Sequence, residues 1–250
     1  NNEHSPNAPL YKGECVYIIN ATDGTEISKM LGWAGQSGGP GSSTSILADG
    51  FFVYYNYYDN QVYCMGKGPS KTTVTAPNLA AAAGQSVLIT GTVTDISPGT
   101  TQSEQAARFP NGVPAVSDAS VSDWMEYVYM QQPCPTDASG VPVQIFVVDA
   151  NGNYRSIGTA TSDATGFFSL QWTPDISGKY TVYAQFMGSA SYWPSQATTA
   201  FVVDEAPEPT AAPTQAPATM VEQYFLPSVA AIIIAIIAIG VVIILLVRKK

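Results

Sequence analysis

The sequence predicts a mainly β chain that ends in a single membrane-spanning α-helix. Three observations predict it. From residue 71 to 203, apolar and polar residues alternate in short runs separated by Gly, Asp, Asn and Pro, the pattern of half-buried strands joined by turns. Upstream, seven aromatic residues crowd the thirteen positions from Phe51 to Tyr63, a composition that favours strands. Downstream, SVAAIIIAIIAIGVVIILLV, residues 228–247, runs for twenty residues without a charge.

That apolar run is the clearest element. At 1.5 Å per residue it reaches about 30 Å, the thickness of a bilayer's hydrocarbon core. Arg248, Lys249 and Lys250 follow it, and Tyr224 and Phe225 precede it. Cationic flanks stay on the cytoplasmic side, and aromatics favour the interface. Residues 224–250 are therefore read as a transmembrane helix with a basic cytoplasmic tip. The chain's partner there is the lipid bilayer, met through residues 228–247, in a single-pass cell-membrane protein whose N-terminal part is extracytoplasmic. Residues 205–223 include APEPTAAPTQAPAT, which cannot bury a core and reads as an extended stalk. The opening NNEHSPNAPL is polar and lacks the apolar core of a signal peptide. The expectation is the C-terminal piece of a longer exported protein.

Residues 71–204 read as a β-sandwich, because several short strands recur at regular spacing. An insertion at about 97–139 interrupts them. Within it, SDASVSDWMEYVYMQQ predicts a helix with Ser120 or Ser122 as N-cap and its end at Pro133. Trp124, Tyr127 and Met130, three residues apart, are expected to dock it on the sandwich.

Residues 1–70 predict paired strands. FFVYYNYYDNQVYCMG reads as two strands around Tyr58-Asp59-Asn60-Gln61, and ECVYIINATDGTEISKM repeats the plan. Val16-Tyr17 and Val62-Tyr63 lie 46 residues apart, the size of a propeller blade. About one blade, or slightly more, is expected. Alternate residues of a strand face opposite sides. Phe52 and Tyr54 therefore oppose Phe51, Val53 and Tyr55, and some of these aromatics must be exposed or face a neighbour.

The residues for common chemistries are sparse. The one histidine is His4, and charged residues make up 12% of the chain. No zinc-protease, nucleophile-elbow or phosphate-loop motif occurs. A net charge of −9 offers no footprint for nucleic acid. Asp149 to Asn153, DANGN, spaces three ligands like a calcium loop but carries its Gly at the fourth position and Ala160 at the twelfth; a hairpin turn is the expectation. Cys15 and Cys64 stand on opposite sides of the shared Val-Tyr pair, which disfavours their pairing, and Cys134 is expected free or buried. Asn20-Ala21-Thr22 is a candidate glycosylation sequon.

VYIINATDGTEISKM and ILADGFFVYYNYYDNQVYCMGKG resemble pyrroloquinoline-quinone-type propeller repeats, over residues 11–67. GQSVLITGTV, GVPVQIFVVDANGN, TSDATGFFSLQWTP, SGKYTVYAQFMGSASYWPS and TAFVV resemble the Ig-like modules of bacterial and archaeal surface proteins. The whole order resembles the C-terminal region of large archaeal surface proteins. This resemblance implies a non-catalytic binding or structural module, without a cofactor or bound metal, that presents a propeller away from the membrane to an unidentified protein or glycan. Two alternatives stay open. One is the anchor region of a quinone-dependent dehydrogenase. The other is a polysaccharide-binding or surface-layer component in which Tyr54, Tyr55, Tyr57 or Tyr58 stacks on sugar.

Overall fold

The computed structural model describes residues 15–33, 45–78, 80–205 and 220–249. His4 and most of the expected stalk lie outside the described residues. The chain divides into two units, Asn1–Ala206 and Pro207–Lys250.

The first unit opens with a hairpin layer. β1 (Cys15–Ile19) and β2 (Glu26–Leu31) pair antiparallel across the NATDG turn. β3 (Ser45–Ala48), β4 (Phe51–Asn56) and β5 (Gln61–Met65) form a separate three-stranded antiparallel sheet. The expectation for this region is about one blade or slightly more; the described strands form a two-stranded and a three-stranded sheet. The outer edge of β2 is occupied by side chains from the insertion, and among the described residues β2 pairs with β1 alone.

β6 (Ser70–Thr72), β7 (Ala81–Ala82) and β8 (Val87–Asp95) begin the sandwich. The insertion then supplies a 3-10 turn (Pro98–Thr101), α1 (Ser103–Arg108), β9 (Val113–Pro114) and α2 (Val121–Val128). β10 (Pro142–Val148), β11 (Tyr154–Thr161), β12 (Phe167–Trp172), β13 (Gly178–Phe186) and β14 (Ser195–Asp204) complete it. One sheet has the order β11-β10-β13-β14-β7 and the other β12-β8-β6, with β9 on the far end of β8. β7 lies parallel to β14, and the remaining pairs are antiparallel. Non-consecutive neighbours in both sheets make this a Greek-key sandwich of immunoglobulin type.

Alternation builds its core. Val143, Ile145 and Val147 of β10 face Ile89 and Val93 of β8 and Phe168 of β12, together with Tyr180, Val182, Ala184 and Phe186 of β13. The Tyr180 ring is fully buried, and its hydroxyl accepts the Ile176 N–H at 3.1 Å and donates to Asp175 at 3.2 Å. A tyrosine at the start of a strand that bonds back to the preceding corner is a hallmark of this fold. It satisfies backbone where the chain crosses between sheets.

The predicted helix is shorter than expected. α2 stops at Val128, well before Pro133, because Met130 turns to φ 60°. Ser120 occupies the N-cap position but makes no capping bond. Trp124 and Val128 are buried, whereas Met130 is exposed and docks nothing. Trp124 packs with Val113, Val116 and Val128 inside the insertion.

The second unit is described by α3 (Met220–Arg248). Within its stretch Gln223–Arg248, the most apolar 18 residues have mean hydropathy 3.5 and none of their surface buried. It is long and apolar enough to cross a membrane.

Candidate functional site

The hairpin layer is held to the sandwich's insertion through a polar seam. Ser122 Oγ accepts the Lys29 N–H at 3.0 Å. Gln131 Oε1 accepts the Leu31 N–H at 2.8 Å, and its Nε2 donates to Leu31 O at 3.0 Å. The amide of Gln131 thus stands where a neighbouring strand's peptide group would, and it satisfies both backbone groups of Leu31. The turn at Met130 places it, and the Gln131 N–H donates to Glu126 O at 2.7 Å. Arg108 donates to the carbonyls of Val128 and Tyr127 at 2.7 and 3.1 Å, a cation at the C-terminus of α2 where the helix dipole favours one.

Asn56 joins the two small sheets. Its Oδ1 accepts from the N–H groups of Trp33 and Tyr58 at 3.1 and 3.0 Å, and its Nδ2 donates to Leu31 O at 3.3 Å. Tyr54 and Tyr63 stack 5.3 Å apart beside it, over Met30, and Tyr63 meets Tyr129 edge-on at 5.6 Å. Burial holds both phenols well above their usual pKa, with Asp59 adding to the effect.

This packing corrects one expected sugar-stacking residue. Tyr54 is 1% exposed and belongs to the core of the layer, because its face of β4 is the one turned toward β2. Tyr55, Tyr57 and Tyr58 are half-buried. Tyr55 donates to Asn60 at 2.8 Å, and Tyr57 packs on both Tyr55 and Trp33. Among the described residues, nothing covers the opposite face of this sheet. Ile46, Val53 and Cys64 form one cross-strand row, with Val62 and Phe51 beside it. Ile46 is 66% and Val62 69% exposed. An apolar sheet face left uncovered is the mark of an interaction surface.

Beside the seam lies an open depression of about 500 Å³, lined by Lys29, Asp123, Glu126, Cys134 and Asp137 among others. Glu126 is 3% exposed, and its carboxylate has no hydrogen-bond partner among the described residues. Burial pushes its pKa up, against the attraction of Lys29. Burial likewise raises Asp95. Asp118 moves the other way: although burial opposes it, hydrogen bonds from Ser191, Ala190 and Ser189 hold it low. Asp163 is held low in the same manner by Thr165 and Phe167.

These shifts predict a stability maximum in mild acid. A carboxyl whose folded pKa is raised binds its proton more tightly when folded. Stability therefore rises as pH falls from neutrality through the raised value, and levels off below the unfolded value of 4.5 for Glu126. The depressed aspartates lose their contribution only below their unfolded 3.8. Thermal melts across this range check it. Glu126→Gln is expected to raise the melting temperature at neutral pH and to flatten the acid gain; an unchanged pH profile would refute the assignment.

The other sequence-marked residues fall as follows. Asn20 is half-buried in the β1–β2 turn, where its Oδ1 accepts the Thr22 N–H at 2.9 Å. Asp149 Oδ1 accepts the N–H groups of Asn151 and Asn153 at 2.9 and 3.0 Å, so its carboxylate is used in closing the hairpin turn. All three cysteines are free thiols, Cys15 half-buried and Cys64 and Cys134 exposed. Sequence reasoning missed Gln131 and Asn56, since a lone amide near a helix or strand end carries no pattern. It also missed an aromatic row on the outside of the sandwich, although GVPVQIFVVD signals it: Phe146 shares the outward phase of Gln144.

No protein family profile and no curated protein matches the chain. Among solved structures, it is similar to the fibronectin(III)-like modules of Clostridium thermocellum CbhA, with 12% identity and TM-score 0.30 over 65% of this chain and 64% of that one. It is also similar to a structure described as a membrane-anchored protein from Corynebacterium diphtheriae, with 17% identity and TM-score 0.31 over 66% of this chain and 30% of that one. A third likeness is to BslA, a bacterial hydrophobin, with 12% identity and TM-score 0.23 over 55% of this chain and 97% of that one.

Proposed function

We propose that the chain is the membrane-anchored, extracytoplasmic region of a surface protein, a non-catalytic binding or structural module. The observation that carries this reading is α3, whose uncharged run matches the bilayer core and ends in Arg248, Lys249 and Lys250. The sandwich acts as a spacer. The open row of Ile46, Val53 and Cys64 supports a further element of the reading, that a propeller-type sheet packs on this face.

One labelling experiment tests both parts. Intact cells making the native protein are treated with a membrane-impermeant maleimide, the membranes are washed in alkaline carbonate, and the modified cysteines are mapped by mass spectrometry. The expected result is a protein that stays with the membrane, with Cys134 labelled and Cys64 protected. Labelling of Cys134 only after lysis overturns the extracytoplasmic placement, and release by carbonate overturns the anchoring. Labelling of Cys64 as fast as Cys134 overturns the covering sheet and leaves the anchoring intact.

A further inference from the structure

The outer face of the β11-β10-β13-β14 sheet carries two adjoining features with no role in the core. The first is a row of rings. Phe146 and Tyr154 lie 5.1 Å apart and nearly parallel at 10°, and Tyr183 meets Tyr154 at 6.1 Å. Tyr154 is 55% exposed. The second is a ladder of amides. Gln144 is the cross-strand partner of Gln185, and Gln185 that of Gln196. Phe146 and Tyr183 are partners in the next row but one along these strands, so rings and amides share the face. Neighbouring strands are about 4.8 Å apart, so the three amides repeat at that step, each offering two donors and an acceptor.

Charge decides what fits. No charged residue stands between the ring row and the amide ladder; Lys179, opposite Val202, lies one same-face row beyond Thr181, Val148 and Tyr154, on the side away from the amides. Between the rings and the amides a charged partner would find no counter-ion. A neutral polyhydroxyl chain needs none: its C–H faces pack on aromatic carbon, and its hydroxyls exchange hydrogen bonds with uncharged amides. We infer that this sheet face is a binding surface for a neutral polysaccharide, with Tyr154, Phe146 and Tyr183 as the apolar platform and Gln144, Gln185 and Gln196 as the polar contacts. The inference rests on the sandwich alone and stands whether or not α3 crosses a membrane. It also moves the sugar-stacking role away from the tyrosines of β4 and its turn.

The test is affinity electrophoresis of the full chain in mild detergent, through gels containing soluble β-glucan, xylan or galactomannan. At least one polymer is expected to retard the protein. Tyr154→Ala with Tyr183→Ala is expected to weaken that retardation on the order of tenfold, the loss of two ring contacts. Gln185→Ala, which leaves the rings in place, is expected to weaken it a few-fold. Tyr17→Ala removes an exposed ring elsewhere and should change nothing. Thermal melts establish that each variant is folded. Three outcomes overturn the proposal: no retardation by any polymer, retardation indifferent to the ring and amide variants, or concentration-dependent self-association lost in the ring variant without polymer binding.

Discussion

Trp124→Ala is expected to free the hairpin layer while the sandwich stays folded. Trp124 is 3% exposed and fills the small core of the insertion, against Val113, Val116 and Val128, with Phe109 at 6.1 Å and Tyr127 at 5.4 Å. Truncating a buried tryptophan costs about 3–5 kcal/mol. The cost falls on α2, and α2 with the turn after it carries Ser122 and Gln131, which hold β2. The sandwich core is a different cluster, centred on Ile145, Val182 and Phe168. Native-state hydrogen exchange should therefore lose protection at Lys29 and Leu31, with Ile145 and Val147 still protected. Trp124→Phe is the comparison. It keeps most of the ring and removes an indole N–H that is buried without a partner among the described residues, so a much smaller effect is expected. Equal loss of protection in the sandwich would show that the insertion and the sandwich unfold as one.

Gly91→Ala strikes the sandwich itself. A Cβ at Gly91 would stand 2.1 Å from the carbonyl oxygen of Thr73 and 2.5 Å from the ring of Phe168. A backbone oxygen cannot swing aside. The 73–75 segment is tied to β8 on both sides of the clash, by Thr73 N–H to Thr92 O at 2.8 Å and Thr75 N–H to Thr90 O at 2.7 Å. The strand must part from its neighbour, and Phe168, buried at the centre of the core, must shift with it. Overpacking of this kind costs about 1–3 kcal/mol and more when backbone is the obstacle. Urea melts are expected to show a large fall in midpoint at an unchanged slope. Gly84→Ala sets the scale: its φ is +82° with nothing within 4 Å, so only turn strain of about 1 kcal/mol is added. A Gly91→Ala loss no larger than that of Gly84→Ala would contradict the close approach.

The sandwich was legible because its signal is local and repeated. In KYTVYAQF and VPVQIFVV every second residue is apolar, and a strand with one face in a core has no other way to be written. The apolar run of α3 was legible for a similar reason: length and absence of charge are properties of the segment alone. The hairpins at residues 15–65 were legible as strands, through their turns. Their assembly was not. The periodicity that suggested one blade says which residues alternate, not which edge each strand finds, and β2 found Gln131 from about a hundred residues downstream.

By itself, then, the sequence determined the strand content, the sandwich, the place of the insertion and the apolar helix, since each follows from the period or length of a hydrophobic run. Only the tertiary structure decided the rest. It split the N-terminal strands into two sheets, turned Tyr54 inward and left Ile46 and Val62 outside. It also ended α2 at a left-handed Met130 and set Gln144, Gln185 and Gln196 side by side. These features depend on hydrogen bonds and packing between residues far apart in the chain. A single amide or ring has no period, so its partner becomes visible only when the strands are laid in register.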